Sequence, residues 1–285
     1  SRRRHTRFKC DWSSDVCSSD LNGFTVKYVD TLVLNWSSSN NVGWAWKAGN
    51  SSSSNTSGSI TSTVSVNATA GFSVVTYTGT GVNATVGHGL GVAPSMVIVK
   101  NRGGVYNWLV YHKYMASSSP ATWYMSLNAT SAASNGANVW INDPTSSVFT
   151  VSGSYPEVNG STNTYVAYCF SAVAGYSAFG SYTGNGSSDG PFVYCGFRPR
   201  WIMLKSSTSV QDWKILDTSR NTYNSTNSLL AANVSSAEDT NAVYDFDILS
   251  NGFKIRNAYG YANTSGQTYV YACFAENPFK IALAR

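Results

Sequence analysis

"TYVAYCF" occupies residues 164–170 and "TYVYACF" residues 268–274. Both runs are rich in β-branched and aromatic residues, which suit a pleated, half-buried strand. Side chains alternate across a strand, so Tyr165, Ala167 and Cys169 share one face and Val166, Tyr168 and Phe170 the other. In the second run Tyr269, Tyr271 and Cys273 lie opposite Val270, Ala272 and Phe274. The Ala/Tyr order is exchanged between the runs while the frame stays fixed. A core strand tolerates such an exchange when total volume is conserved. A reacting group does not. The repeated phrase reads as architecture, with Cys169 and Cys273 as small buried thiols.

Working outward, a displacement of 105 residues lays "YTGTG" (77–81) on "YTGNG" (182–186), Pro94 on Pro199, Lys100 on Lys205 and Trp108 on Trp213. A displacement of 104 lays "FTV" (149–151) on "FKI" (253–255), Tyr155 on Tyr259 and Asn159 on Asn263. So many landmarks in one order indicate duplication. A broken third copy opens the chain. "NGFTV" (22–26) matches "NGFKI" (251–255), and "GWAWKAG" (43–49) stands where the TYVAYCF strand belongs.

Each copy reads as strands. "MVIVK" (96–100) and "WIMLK" (201–205) are short apolar runs, as in strands buried on both faces. Turns rich in Gly, Asn and Ser punctuate them. No stretch sustains a helical period. About 105 residues per copy is the size of a β-sandwich. The expected fold is all-β: a β-sandwich-like repeat over 72–174 and a second over 175–285 with a C-terminal tail. Residues 22–49 are the end of a truncated repeat, and the Ser/Thr/Asn-rich residues 50–71 a linker or extended surface segment.

The first 21 residues are set aside as a leader without regular structure tied to the rest. "CDWSSDVCSSDL" (Cys10 to Leu21) resembles the conceptual translation of a sequencing-library adapter. Without the leader's five Lys/Arg and three Asp/Glu, the chain's 19 basic and 14 acidic residues fall to 14 and 11, a balance of +3. That is too even to point to nucleic acid. Only 12% of residues are charged, about half the usual fraction. No apolar run is long enough for a membrane span.

Little in the sequence suggests a reaction. Cys169, Cys195 and Cys273 have no close pair in sequence, against a disulfide scaffold or zinc. His88 and His112 have no histidine at the equivalent positions of the second copy. Glu157, Glu238 and Glu276 are dispersed, and no nucleophile elbow or metalloprotease motif occurs. No catalytic residue, metal or cofactor is expected. Aromatics near turns are the candidates for contact, because their faces are apolar and their tips polar. Trp123, Tyr155, Tyr259 and Tyr261 are singled out as ligand-binding. Binding is expected in the turns that differ between copies, 101–107 with 155–161 and 206–212 with 259–266.

"TAGFSVVTYTGTG", "ATVGHGLGVAPSMVIVKNR", "GYSAFGSYTGNGSSDGPFVYCGFRPRWIMLKSS", "LSNGFKIRN" and "CFAENPFKIALAR" together resemble a repeat domain of uncharacterised function from tail-fibre proteins of marine tailed bacteriophages. The resemblance covers about residues 22–285. It implies a virion structural protein of the tail, in contact with the host. Its partners would be other fibre subunits, as a homotrimer, and a bacterial surface glycan or protein. It implies no catalytic residues. A secreted bacterial adhesin or carbohydrate-binding module is the alternative, and a polysaccharide-degrading tailspike-like enzyme stands behind both.

Overall fold

The computed structural model describes residues 8–9, 17–20, 23–26, 40–116, 119–135, 139–241 and 243–278. It divides into two compact units, Ser1–Trp46 and Lys47–Arg285. In the first, β1 (Phe8–Lys9), β2 (Cys17–Asp20) and β3 (Gly23–Val26) form an antiparallel sheet in that order. Because β2 pairs with β3, this corrects the reading of residues 1–21 as a leader without regular structure tied to the rest. The β3 run GFTV has strand propensity, and a strand edge recruits an adjoining extended segment through its backbone. The rest of the leader and residues 279–285 lie outside the described residues.

The second unit holds both repeats. It opens with β4 (Ser53–Asn55) and β5 (Ser62–Asn67). The first repeat follows as β6 (Phe72–Thr78), β7 (Ala84–Gly87), β8 (Met96–Asn101), β9 (Trp108–His112), β10 (Trp123–Ser126), β11 (Ser134–Asn135), β12 (Val148–Val151), the one-turn helix α1 (Pro156–Asn159) and β13 (Thr164–Phe170). The second is β14 (Ser177–Thr183), β15 (Phe192–Tyr194), β16 (Pro199–Ser206), β17 (Lys214–Asp217), β18 (Leu230–Ala231), β19 (Phe246–Leu249), β20 (Gly252–Ile255) and β21 (Thr268–Ala275).

The protein is all-β, and the duplication is topological. The first repeat's main sheet runs β10-β9-β8-β13-β6, and the second's runs β18-β17-β16-β21-β14. Position for position these are the same strands in the same order. The small sheets match as well, β12 with β7 and β20 with β15. Between the two sheets of the second repeat lies a core that includes Ile202, Leu204, Leu216, Phe246, Phe253 and Cys273.

The repeated strand is central in each sheet, and its tyrosines are clamps. Tyr165 Oη donates to the Pro156 carbonyl at 2.7 Å, and Tyr269 Oη to the equivalent Gly260 carbonyl at 2.6 Å. Tyr165 stacks on Tyr77 at 5.0 Å and Tyr269 on Tyr182 at 5.2 Å. The Ala/Tyr exchange has a cause that strand alternation alone does not reveal. Tyr271 lies in the second core, whereas its opposite number Ala167 leaves room in the first core for Tyr111 on β9, where the second repeat has Leu216. The other tyrosine, Tyr168, is turned to the outer face and stacks on Trp108 at 6.4 Å.

Two expectations about the start of the unit need correction. Residues 50–71 are not a linker: β5 pairs along β6 from Thr63 opposite Thr76 to Asn67 opposite Phe72, and β4 pairs with β5. Polar Ser/Thr composition hid a strand whose Ser62 and Val64 are buried at alternate positions. No strand forms at 43–49, whose two glycines weaken extended structure.

The repeats pack on each other through the outer faces of their main sheets. Phe170, Phe179 and Phe274 meet with ring centroids 6.0–6.3 Å apart. The contact is offset. The first repeat's segment 126–133 lies on the second repeat: Trp213 Nε1 donates to the Ser126 carbonyl at 2.9 Å, and Lys205 Nζ and Gln211 N donate to the Thr130 carbonyl at 3.1 and 2.9 Å. The turn 206–212, expected to be a free binding loop, is largely taken up by this junction. Its counterpart 101–107 carries a fully exposed Val105.

His112 sits in the same junction. Its Nδ1 accepts from Tyr114 N at 3.2 Å, so Nε2 carries the proton and donates to the Tyr271 carbonyl at 3.1 Å. Burial lowers its pKa from 6.5 to about 4. A base whose folded pKa is depressed stabilises the fold fully above its unfolded pKa and loses that contribution as pH falls. Acidification from about 6.5 to 4 is therefore expected to remove up to about 3 kcal/mol through this one group. His88, fully buried with Nε2 3.1 Å from the Thr145 carbonyl, is shifted down by burial and adds in the same direction. Thermal unfolding of His112→Gln across that window should give a shallower pH slope than the parent. An unchanged slope contradicts the assignment.

Candidate functional site

The junction leaves a cleft of about 570 Å³. The first repeat supplies one wall. Chain reversal after β9 presents Lys113 and Tyr114, with Lys113 Nζ 5.8 Å from the Tyr114 ring centre. A 3-10 turn at Pro120–Thr122 then delivers Trp123 at the start of β10. Ser119 enters that turn with φ 47°, a left-handed conformation that non-glycine residues adopt at a cost.

The second repeat supplies the floor. On β14, Phe179 of the outer face is buried in the junction, while Ser181 and Thr183 of the same face are exposed in the cleft. Thr268, paired with Thr183, joins them, as do Ser207 and Thr208 beyond β16. The result is an aromatic and cationic wall over a floor of hydroxyls. Such a surface can stack an apolar ring face and exchange hydrogen bonds with a polyhydroxylated ligand.

Of the four residues singled out from sequence, Trp123 alone lines this cleft. Tyr155 is half-buried beside α1, its ring edge-on to Tyr124 at 6.2 Å. Tyr259 is 48% exposed and leans on Tyr244 at 5.6 Å. Tyr261 is not a surface contact residue. It packs into the second core against Tyr244 and Phe246, because the turn after β20 folds back over the small sheet. Sequence reading missed Tyr114, Lys113 and the hydroxyl floor, since the two repeats bring them together from positions about seventy or more residues apart.

Among the described residues no three of His, Cys, Asp and Glu come together as a metal site. Both described histidines are buried and hydrogen-bonded to backbone. The Cys169 thiol is pushed up to about 12 by burial. Cys195 lies beside Cys273, closer than sequence spacing suggests, and burial with that neighbour holds the Cys273 thiol well above its usual range. All three are free thiols, and Cys169 and Cys273 are buried. No helix among the described residues is long and apolar enough to cross a membrane.

The chain is a member of the family described as domain of unknown function (DUF7483), whose model matches residues 5–278. No curated protein and no solved structure matches it.

Proposed function

We propose that the chain is a structural segment of a bacteriophage tail fibre and contributes to attachment at the host surface. Its partners are other fibre subunits and a bacterial surface glycan, and its place is the virion tail. The observation that supports this reading most directly is the Trp123 and Tyr114 wall above the Ser181, Thr183 and Thr268 floor. A sugar ring stacks its apolar face on the indole and meets hydroxyls below. One such shallow contact is weak, and linked copies raise effective concentration without new contacts. The reading assigns no catalytic step.

The same cleft suits a secreted carbohydrate-binding module. Capsid or tail genes beside the coding sequence separate the two readings.

The test is binding of the full chain, singly and as a forced trimer, to host cells and their surface polysaccharide. Trp123→Ala is expected to weaken binding about ten-fold, roughly 1.4 kcal/mol. Tyr259→Ala should leave it unchanged. No binding in either form overturns the attachment role, and loss with Tyr259→Ala alone moves the contact to the 259–266 turn. New reducing ends in the polysaccharide would instead mark an enzyme.

A further inference from the structure

The two main sheets have four edges. Three are blunted by length: β11 and β18 have two residues and β4 has three. The fourth, β14, has seven: SAFGSYT. Long edges invite pairing with another chain, and proteins protect them with charge, proline, bulges or cover. Ser177–Thr183 contains no charged residue and no proline, and its register with β21 runs without a bulge. Among the described residues, no backbone hydrogen bond joins Ala178–Thr183 to any strand or loop other than β21.

The first repeat shows what this position accommodates. There the equivalent strand β6 is not an edge, because β5 pairs antiparallel along its residues 72–76. Ser73, opposite Val66 of β5, is buried, and so is Tyr77 just beyond the paired stretch. Their equivalents Ala178 and Tyr182 are only half-buried at the side of the second core. The segment before β14 cannot supply the missing strand, because β13 is already held between β8 and β6.

We propose that β14 is a pairing edge for a second copy of this chain, joined antiparallel β14 to β14 across a two-fold axis. Self-pairing matches seven residues with seven. Among the described residues no other sheet edge of the chain exceeds four. With full overlap, Gly180 faces Gly180 of the second copy at the axis, Ala178 faces Tyr182, and Ser177 faces Thr183. No like charges meet. Gly180 suits the centre, because the Tyr271 ring fills the space that a side chain there would take. A two-fold contact is closed and joins two five-stranded sheets into one.

Sedimentation equilibrium of the full chain tests this. The parent protein should show a reversible monomer–dimer equilibrium. Hydrogen exchange of residues 177–183 should slow as concentration rises. Ser181→Lys, at an exposed position, brings two cations diagonally across the axis and should weaken the dimer about ten-fold or more. Ser181→Glu should do the same, and mixing the two variants should restore association. A parent that stays monomeric at all concentrations, a species of three chains, or association indifferent to both variants would overturn the proposal.

Discussion

Replacing Asn263 by Ala is expected to cost about 3 to 5 kcal/mol of stability, and Asn159→Ala about 2 to 4, although neither residue touches the cleft. Both are fully buried. Asn263 Oδ1 accepts from Asn185 N at 2.8 Å, and its Nδ2 donates to the Ser187 and Asn257 carbonyls at 2.7 Å each. Asn159 makes the equivalent bonds to Thr80 N and the Val82 carbonyl. Each side chain therefore ties down the YTGTG or YTGNG loop, whose Gly81 and Gly186 adopt φ values of 72° and 70° that a side chain would strain. Truncation leaves several buried backbone groups without partners, each costing about 1 to 3 kcal/mol. Asn263→Asp separates this from a cavity effect. It keeps the size but turns donors toward carbonyls into a carboxylate, so its loss should equal or exceed that of Ala. Urea denaturation gives both numbers, and a loss below about 1 kcal/mol for either Asn263 variant contradicts the clamp.

These asparagines mark what was legible in the sequence. Asn159 and Asn263 are recognisable as aligned landmarks of a duplication, together with Tyr155, Tyr259 and the repeated strand. The repeated strand reads as core architecture with Cys169 and Cys273 as small buried thiols, and both are buried. What alternation does not convey is the partner of each face. Ser62 and Val64 read as linker because small hydroxyl residues carry little hydrophobic signal, yet backbone pairing to β6 orders them. Tyr261 reads as a turn aromatic, and the fold of the chain over the small sheet buries it. The cleft is invisible in either repeat alone, because β9, β10 and β14 meet only once one copy is laid on the other.

Trp213→Ala is expected to cost about 3 to 5 kcal/mol, while the same change at the aligned Trp108 costs roughly 1. Sequence gives no reason for the difference. Asn128 Oδ1 accepts from Trp108 N at 2.9 Å, and Asn233 Oδ1 from Trp213 N at 2.8 Å, so both indoles start from the same backbone frame. Their surroundings then diverge. Trp213 is 1% exposed beneath segment 126–133, and its Nε1 bonds to Ser126. Trp108 is half-buried, stacked on Tyr168 with Lys100 Nζ 6.0 Å from its ring centre. Removing Trp213 opens a cavity, strips the Ser126 carbonyl of its donor and loosens the seat of Lys205, which is itself fully buried and holds the Thr130 carbonyl. Removing Trp108 uncovers the stacked face of Tyr168, a residue that is already only half-buried, and opens no internal cavity. Chemical denaturation of the two variants measures the difference, and hydrogen exchange locates it: Trp213→Ala should speed exchange in 126–133, a segment of the other repeat. Equal losses at the two positions, or no change in that segment, would mean that the repeats fold without leaning on each other.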